Sequence, residues 1–184
     1  MKKLPTTLPG VVLLELDVFE DERGRFVETF HRERYTAAGV AVGLELVQDN
    51  FSSSAAGTLR GLHYQLARPQ GKLVHVTRGE VFDVAVDIRR GSPTFGSTYG
   101  VVLSAANHRQ LWIPPGFAHG FVALGDADVA YKCSAHYDRD DDRALRWDDP
   151  ELAIEWPLHG APRLSARDAS APRLREAELP RCVP

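Results

Sequence analysis

Cysteine is nearly missing from this 184-residue chain, which has only Cys133 and Cys182. Two thiols so far apart in sequence give neither a disulfide framework nor a metal-knuckle spacing, and they suit a reducing, cytoplasmic setting. Excess positive charge is missing too. A net charge of -3 gives no general attraction to nucleic acid or anionic membrane, so neither is expected as a partner. No apolar run approaches the roughly 20 residues that span a bilayer. The opening Met1-Lys2-Lys3-Leu4-Pro5 carries no signal-peptide core. Repeats and low-complexity tracts are also absent. The composition, 43% hydrophobic and 26% charged, fits a single domain over 1–184 whose core needs no covalent staples.

What the chain does have is a succession of short alternating runs. Gly79-Glu80-Val81-Phe82-Asp83-Val84-Ala85-Val86-Asp87-Ile88 places Phe82, Val84, Val86 and Ile88 on one face. Asp83 and Asp87 fall on the other, a strand period of two. Further strands are expected at 11–18, 25–30, 44–51, 98–104, 109–113, 118–124 and 129–135, punctuated by Gly, Pro and Asn. Residues 33–38 allow one or two helical turns closed by Gly39. Residues 52–57 and 138–143 read as polar loops, and the stretch from Ala161 as a packed tail with a short helix near 172–177. This spacing predicts an antiparallel sandwich or barrel, not alternating βαβ units.

The chemistry concentrates in Thr58-Leu59-Arg60-Gly61-Leu62-His63-Tyr64-Gln65 and Gly71-Lys72-Leu73-Val74-His75-Val76. Here a guanidinium, an imidazole and an ammonium alternate with Leu, Val and Tyr. Burying Arg or Lys unpaired is costly, so the pattern suggests a cationic pocket inside a sheet. A base between two cations suits removing a proton from carbon and holding the oxyanion that results. Gly61 in mid-strand suggests a bulge, which would turn Arg60 and His63 to the same side. A lone strand histidine is more often a satisfied core residue, and a base needs an orienting carboxylate to fix its tautomer. Spacing leaves Asp83, Asp87, Asp168 and several loop acids open for that task.

Pro114-Pro115-Gly116-Phe117-Ala118-His119-Gly120-Phe121 is similar to the second motif of cupins. In metal cupins that histidine is a ligand, joined by a His-x-His pair that the strand around His63 lacks. A stable site needs three or four protein ligands, and nothing in the spacing requires His63, His75 and His119 to converge. No metal is expected. His119 reads as a hydrogen-bonding pocket residue, with structural packing a close second. Tyr131, in Val129-Ala130-Tyr131-Lys132-Cys133, is either a core aromatic with its hydroxyl at the rim or a proton donor facing the base.

Taken together, Asp21-Glu22-Arg23-Gly24, Val47-Gln48-Asp49-Asn50, Leu59-Arg60-Gly61-Leu62-His63 and Gly71-Lys72-Leu73-Val74 resemble dTDP-4-dehydrorhamnose 3,5-epimerases. So do Arg109-Gln110-Leu111-Trp112-Ile113-Pro114, Ile154-Glu155-Trp156-Pro157 and Leu164-Ser165-Ala166-Arg167-Asp168. The resemblance spans nearly the whole chain in order. It implies an all-β, cupin-type antiparallel jelly roll with short helices in the N-terminal third and the C-terminal tail. It also implies a homodimer, no cofactor, and a dTDP-4-keto-6-deoxy sugar as substrate.

By the same resemblance His63 is the general base, Asp168 its carboxylate, Tyr131 the acid on the other face, and Lys72 and Arg60 cations near the C4 oxygen. His119 becomes a further pocket residue. Arg23, Glu28, Gln48, Asp49 and Asn50 fall on nucleotide contacts, some supplied by a partner subunit, and Tyr137 on the aromatic that stacks on thymine. The resemblance also makes Asp142 and Arg167 substrate-binding residues: Asp142 stands where the family commonly has Glu, one methylene longer, and Arg167, which can pair a phosphate, where it commonly has Lys. Two other readings share the scaffold: a mono-epimerase acting at C3 or C5 only, and a non-catalytic sugar-nucleotide binding module.

Overall fold

The computed structural model describes residues 1–181, so Cys182 lies outside the described residues. In chain order the elements are β1 (Lys2–Leu4), β2 (Val12–Glu15), β3 (Val18–Asp21), β4 (Gly24–Val27), α1 (Arg32–Ala37), β5 (Gln48–Ser54), β6 (Leu59–Gln65) and β7 (Lys72–Arg78). They continue as β8 (Glu80–Asp87), β9 (Thr98–Ser104), β10 (Arg109–Ile113), β11 (Phe117–Ala123), β12 (Ala127–Cys133), β13 (Asp142–Ala144) and α2 (Ala166–Ala169). One sheet has the order β1-β2-β10-β7-β12-β5 and a second β13-β6-β11-β8-β9, while β3 pairs with β4 alone. All of these strand pairings are antiparallel. The fold is the expected antiparallel jelly roll with two short helices.

Alternation along the strands sets the layers. Val74, Val76 and Leu111 of the first sheet meet Val81, Ala85 and Phe121 of the second in the core between them. The opposite face of the second sheet, with Leu62, Val84 and Val86, is covered by Leu152, Leu174 and Ala177 of the tail. Val12, Leu14, Leu73 and Trp112 line the outer face of the first sheet and are covered by Tyr35 of α1 and by Val40. Each fully buried leucine, such as Leu14 or Leu62, contributes about 1.5–3 kcal/mol. The two outer covers leave the space between the sheets as the place where a pocket can open.

Several local expectations shift: the strand expected at 25–30 ends at Val27, and the loop expected at 138–143 gives way to β13 at Asp142. The strand expected at 44–51 starts at Gln48 and runs to Ser54, taking in half of the expected loop, because it pairs with β12 from Gln48↔Cys133 to Ser54↔Ala127. A full ladder partner outweighs the weak strand preference of three serines. The run 11–18 breaks after Glu15 into two strands that join different partners. Residues 172–177 hold a single turn, with the Glu176 and Ala177 amides bonded to the Arg173 carbonyl. Pro180 follows and disfavours helix at the residue before it. The tail helix is α2 instead, where the Ser165 hydroxyl accepts from the Asp168 amide. Ser165-x-x-Asp168 has the spacing of a capping signal.

The bulge expected at Gly61 is present. His119 pairs with His63 and Phe121 with Arg60, so two steps along β11 match three along β6. Gly61 has φ +117, and a Cβ there would lie 2.5 Å from Gly120 Cα and 2.7 Å from the His119 carbonyl oxygen. Both neighbours are backbone and cannot swing aside. Gly61→Ala is therefore expected to cost about 2–4 kcal/mol from overpacking and backbone strain. Urea denaturation would show this as a lowered midpoint at constant slope, whereas an unchanged midpoint would mean that the bulge does not fix this approach.

Candidate active site

Register shows which side chains share the space between the sheets. On the first sheet Tyr131 pairs with Asn50 and Val74, and Cys133 with Gln48 and Lys72. Paired residues point the same way, and Val74 belongs to the inner core, so all six point inward. On the second sheet His63 pairs with His119, which lies two residues from Phe121 of the same core. His63 and His119 therefore face Lys72 and Tyr131 across one cup.

Two histidine–carboxylate pairs stand side by side in it. His63 Nε2 lies 2.6 Å from Asp168 Oδ1, so Nε2 carries the shared proton and the Nδ1 lone pair is left to accept another. The imidazole is about a third exposed, at 32%, and the carboxylate only 4%. Burial works against the charge on Asp168, but hydrogen bonds from His63, Ser165 and the Gly61 amide outweigh it and hold the carboxyl below its ordinary value. His119 Nε2 lies 2.9 and 3.1 Å from the two oxygens of Asp83, and both side chains are buried.

Cations and a phenol complete the cup. Lys72 is half-buried, and desolvation of its ammonium pushes it below the ordinary lysine value, partly offset by Cys133, Asp142 and Asp83. Its hydrogen bond among the described residues is a long one, 3.5 Å to the His63 carbonyl. An ammonium has three donors, so Lys72 keeps donors to offer an oxygen in the cup. Arg60 is anchored by the Ser54 hydroxyl at 3.0 Å and the Ser53 carbonyl at 3.1 Å. Burial raises the Tyr131 phenol, with Arg60 pulling it back down, so Tyr131 holds its proton at neutral pH. Such a group serves as a donor, not a base.

At one end of the cup a chain of polar contacts leads outward. Gln48 donates to Asn50 at 2.9 Å and accepts from the Tyr137 amide at 2.8 Å. Tyr137 is 52% exposed, and its hydroxyl donates to Asp142 Oδ2 at 3.1 Å. Arg167 pairs with that same carboxylate oxygen. The structure does not gather every expected residue. Asp49 lies on the outer face of β5, bonded to Lys132 at 2.9 Å. Arg23 sits on the β3–β4 hairpin with Asp21, and Glu28 pairs with Arg34; both lie outside this chain's own cup. His75 lies on the outer face of β7, away from His63 and His119, so the three histidines do not converge.

The model of the dTDP-4-dehydrorhamnose 3,5-epimerase family matches residues 5–176. The chain belongs to that family. A dTDP-4-dehydrorhamnose 3,5-epimerase of Pseudomonas aeruginosa is 49% identical over all of both chains. One of Neisseria gonorrhoeae is 52% identical over 97% of this chain, which spans only 54% of that relative's length. Among solved structures, the dTDP-6-deoxy-D-glucose-3,5-epimerase of Legionella pneumophila in complex with dTDP-4-keto-L-rhamnose superposes with a TM-score of 0.95. It is 48% identical, with 100% of this chain and 99% of that one covered.

The roles of two supporting residues of this epimerase-family cup, Asp83 and Asp141, escape sequence reasoning. Asp83 is among the open candidates for orienting His63, yet it holds His119. Asp141 accepts the amides of Leu66, Ala67 and Arg68, tying down the loop after β6, and no sequence pattern marks it. Asp83→Ala would strand a buried imidazole and is expected to lower unfolding free energy by about 1–3 kcal/mol. Asp49→Ala, which frees only an exposed pair, should stay within about 1 kcal/mol. Equal losses in denaturant titrations of the two variants would refute this contrast.

Proposed function

We propose that the protein is an isomerase that inverts C3 and C5 of dTDP-4-dehydro-6-deoxyglucose, giving dTDP-4-dehydrorhamnose, without a cofactor. The observation that carries this reading is the 2.6 Å His63–Asp168 pair set in a cup whose facing sheet presents Lys72 and Tyr131. A ketone at C4 acidifies the hydrogens on C3 and C5, since loss of either gives an enolate delocalised onto the C4 oxygen. His63 Nδ1 takes the proton, and Asp168 orients the ring and balances the imidazolium that forms. Lys72, with Arg60, holds the enolate oxygen. Tyr131 returns a proton from the opposite face and the centre inverts. One positioned base supplies typically about 10²–10⁴-fold, and removing an oxyanion donor costs about 3–4 kcal/mol, so the cations matter as much as the base.

In this reading His119 and Arg60 line the sugar site, Tyr137 stacks on thymine, and Gln48 and Asn50 meet the nucleotide. Stacking is worth about 1–3 kcal/mol per base, an anchor away from the reacting carbons. Arg23 and Glu28 then act in a homodimer, reaching the cup of a second copy. Two features support that. Phe19 and Phe26, paired across the hairpin, are 63% and 68% exposed, and β5 is a sheet edge carrying an exposed Phe51. Exposed apolar side chains beside an open edge are what an interface covers. Among the described residues no helix is long and apolar enough to cross a membrane, and a sugar-nucleotide substrate suits the cytoplasm.

Incubation with the 4-keto-6-deoxyglucose nucleotide in deuterium oxide should place label at both C3 and C5. Label at one carbon means a mono-epimerase, and none means a binding module. His63→Ala and Lys72→Ala should each abolish turnover while leaving dTDP affinity nearly intact; near wild-type turnover in either would sink the scheme.

The pH profile follows from the shifts in the cup. Lys72 must be charged to hold the oxyanion, and its lowered pKa means that the charge is lost below the ordinary value of about 10.4. Tyr131 is shifted the other way by burial, so it releases its proton at higher pH than an ordinary phenol. The alkaline limb of kcat should therefore fall below about pH 10.4 and move upward in Lys72→Arg, and a limb that stays put would remove Lys72 from the oxyanion role.

A further inference from the structure

The contact of Arg167 with Asp142 bears on the catalytic pair itself. Arg167 directly precedes Asp168 on α2, a four-residue helix too short to hold its own position. Asp142 opens β13, where it pairs with Gln65 while Ala144 pairs with His63. The Asp142–Arg167 ion pair thus ties the helix that carries Asp168 to the strand beside the one that carries His63. Asp142 is only 10% exposed and also receives the Tyr137 hydroxyl. One carboxylate oxygen therefore joins the exposed aromatic to the placement of the dyad.

We propose that Asp142 and Arg167 are positioning residues that hold α2, and with it Asp168, against His63, and couple the Tyr137 face to that placement. The pair is matched in reach. Aspartate is one methylene shorter than glutamate, and a guanidinium extends beyond the end of a lysine stem, so a change at one position alone opens the contact. The same length restored from the other side closes it. Arg167 also has a fork geometry that lysine lacks, which sharpens the orientation of α2. The coupling to Tyr137 rests on the reading of Tyr137 as the nucleobase platform, while the tie between Asp142, α2 and Asp168 stands on contacts alone.

The test compares Arg167→Lys with the double variant Arg167→Lys/Asp142→Glu. The first readout is the hydrogen-bonded ring proton of His63 in the free protein, seen by proton NMR and assigned by its absence in Asp168→Asn. The second is kcat and KM for the 4-keto-6-deoxyglucose nucleotide. Arg167→Lys should broaden or shift the resonance and lower kcat about 10- to 100-fold, the scale of a misplaced catalytic group. KM should change by less than about threefold, because the lost interaction acts in the transition state. The double variant should regain the resonance and most of kcat. A raised KM with resonance and kcat intact would make the pair a direct substrate contact and overturn the proposal, as would losses that the second substitution does not reverse. The resonance is read without substrate, so a wild-type protein that fails to turn over sinks the functional reading while the resonance still decides the positioning role.

Discussion

The 2.6 Å bond between His63 and Asp168 joins residues 105 positions apart, and much of the chain's path serves that junction. A carboxylate as buried as Asp168 is costly unless it is hydrogen-bonded and paired, so the tail that delivers it must be held firmly. It is stitched to β6, the strand of His63, and to segments that flank it. The Leu59 amide bonds to the Arg163 carbonyl, the Arg163 amide to Gly57, and the Arg146 amide to Pro172. The Asp149 carboxylate accepts the Leu174 amide at 2.7 Å, seating Leu174 in the apolar cover of the second sheet. One segment therefore does two jobs: it shields the sheet's outer face and carries the acid around the edge into the cup.

Charge in the cup is balanced by assignment more than by number. Asp83 is engaged by His119, and Asp142 by Tyr137 and Arg167. Neither carboxylate is hydrogen-bonded to Lys72, although both offset the cost of its burial. A half-buried ammonium whose hydrogen bond is a long one to a carbonyl gains most when an anionic oxygen arrives. That is the behaviour an enolate site requires, because the interaction strengthens as charge develops. A lysine already paired with a carboxylate would bind the ground state and the transition state about equally.

The parts of the fold set by local alternation were legible in the sequence, and those set by distant partners were not. The split of Val84 and Val86 from Asp83 follows from a period of two and reappears as two different packing layers. Gly61 within a strand announced the bulge before any register was visible. By contrast, β5 extends through Ser52-Ser53-Ser54 only because β12 lies beside it. The choice of Asp168 over Asp83 for His63 depends on how the tail wraps, which spacing does not encode; the family resemblance supplied it. The tail helix forms at Ala166–Ala169 and not at 172–177, and the Ser165-x-x-Asp168 cap pattern that marks it is visible in the sequence.

The two dyads show why residue type alone does not identify a base. His63 and His119 are cross-strand neighbours, each bound through Nε2 to a carboxylate, and the chemistry of the two pairs is the same on paper. Access separates them. The His119 side chain is 8% exposed over a fully buried Asp83, whereas the His63 side chain is 32% exposed over its own buried acid. A group that abstracts a proton from carbon must come within about 3 Å of it, and of the two imidazoles His63 is the one with surface to offer. His119, held from behind by Asp83, stiffens the wall against which His63 is placed. The bulge at Gly61 is what allows both, because it brings Arg60 round to the side of His63 while leaving the His119 pairing intact.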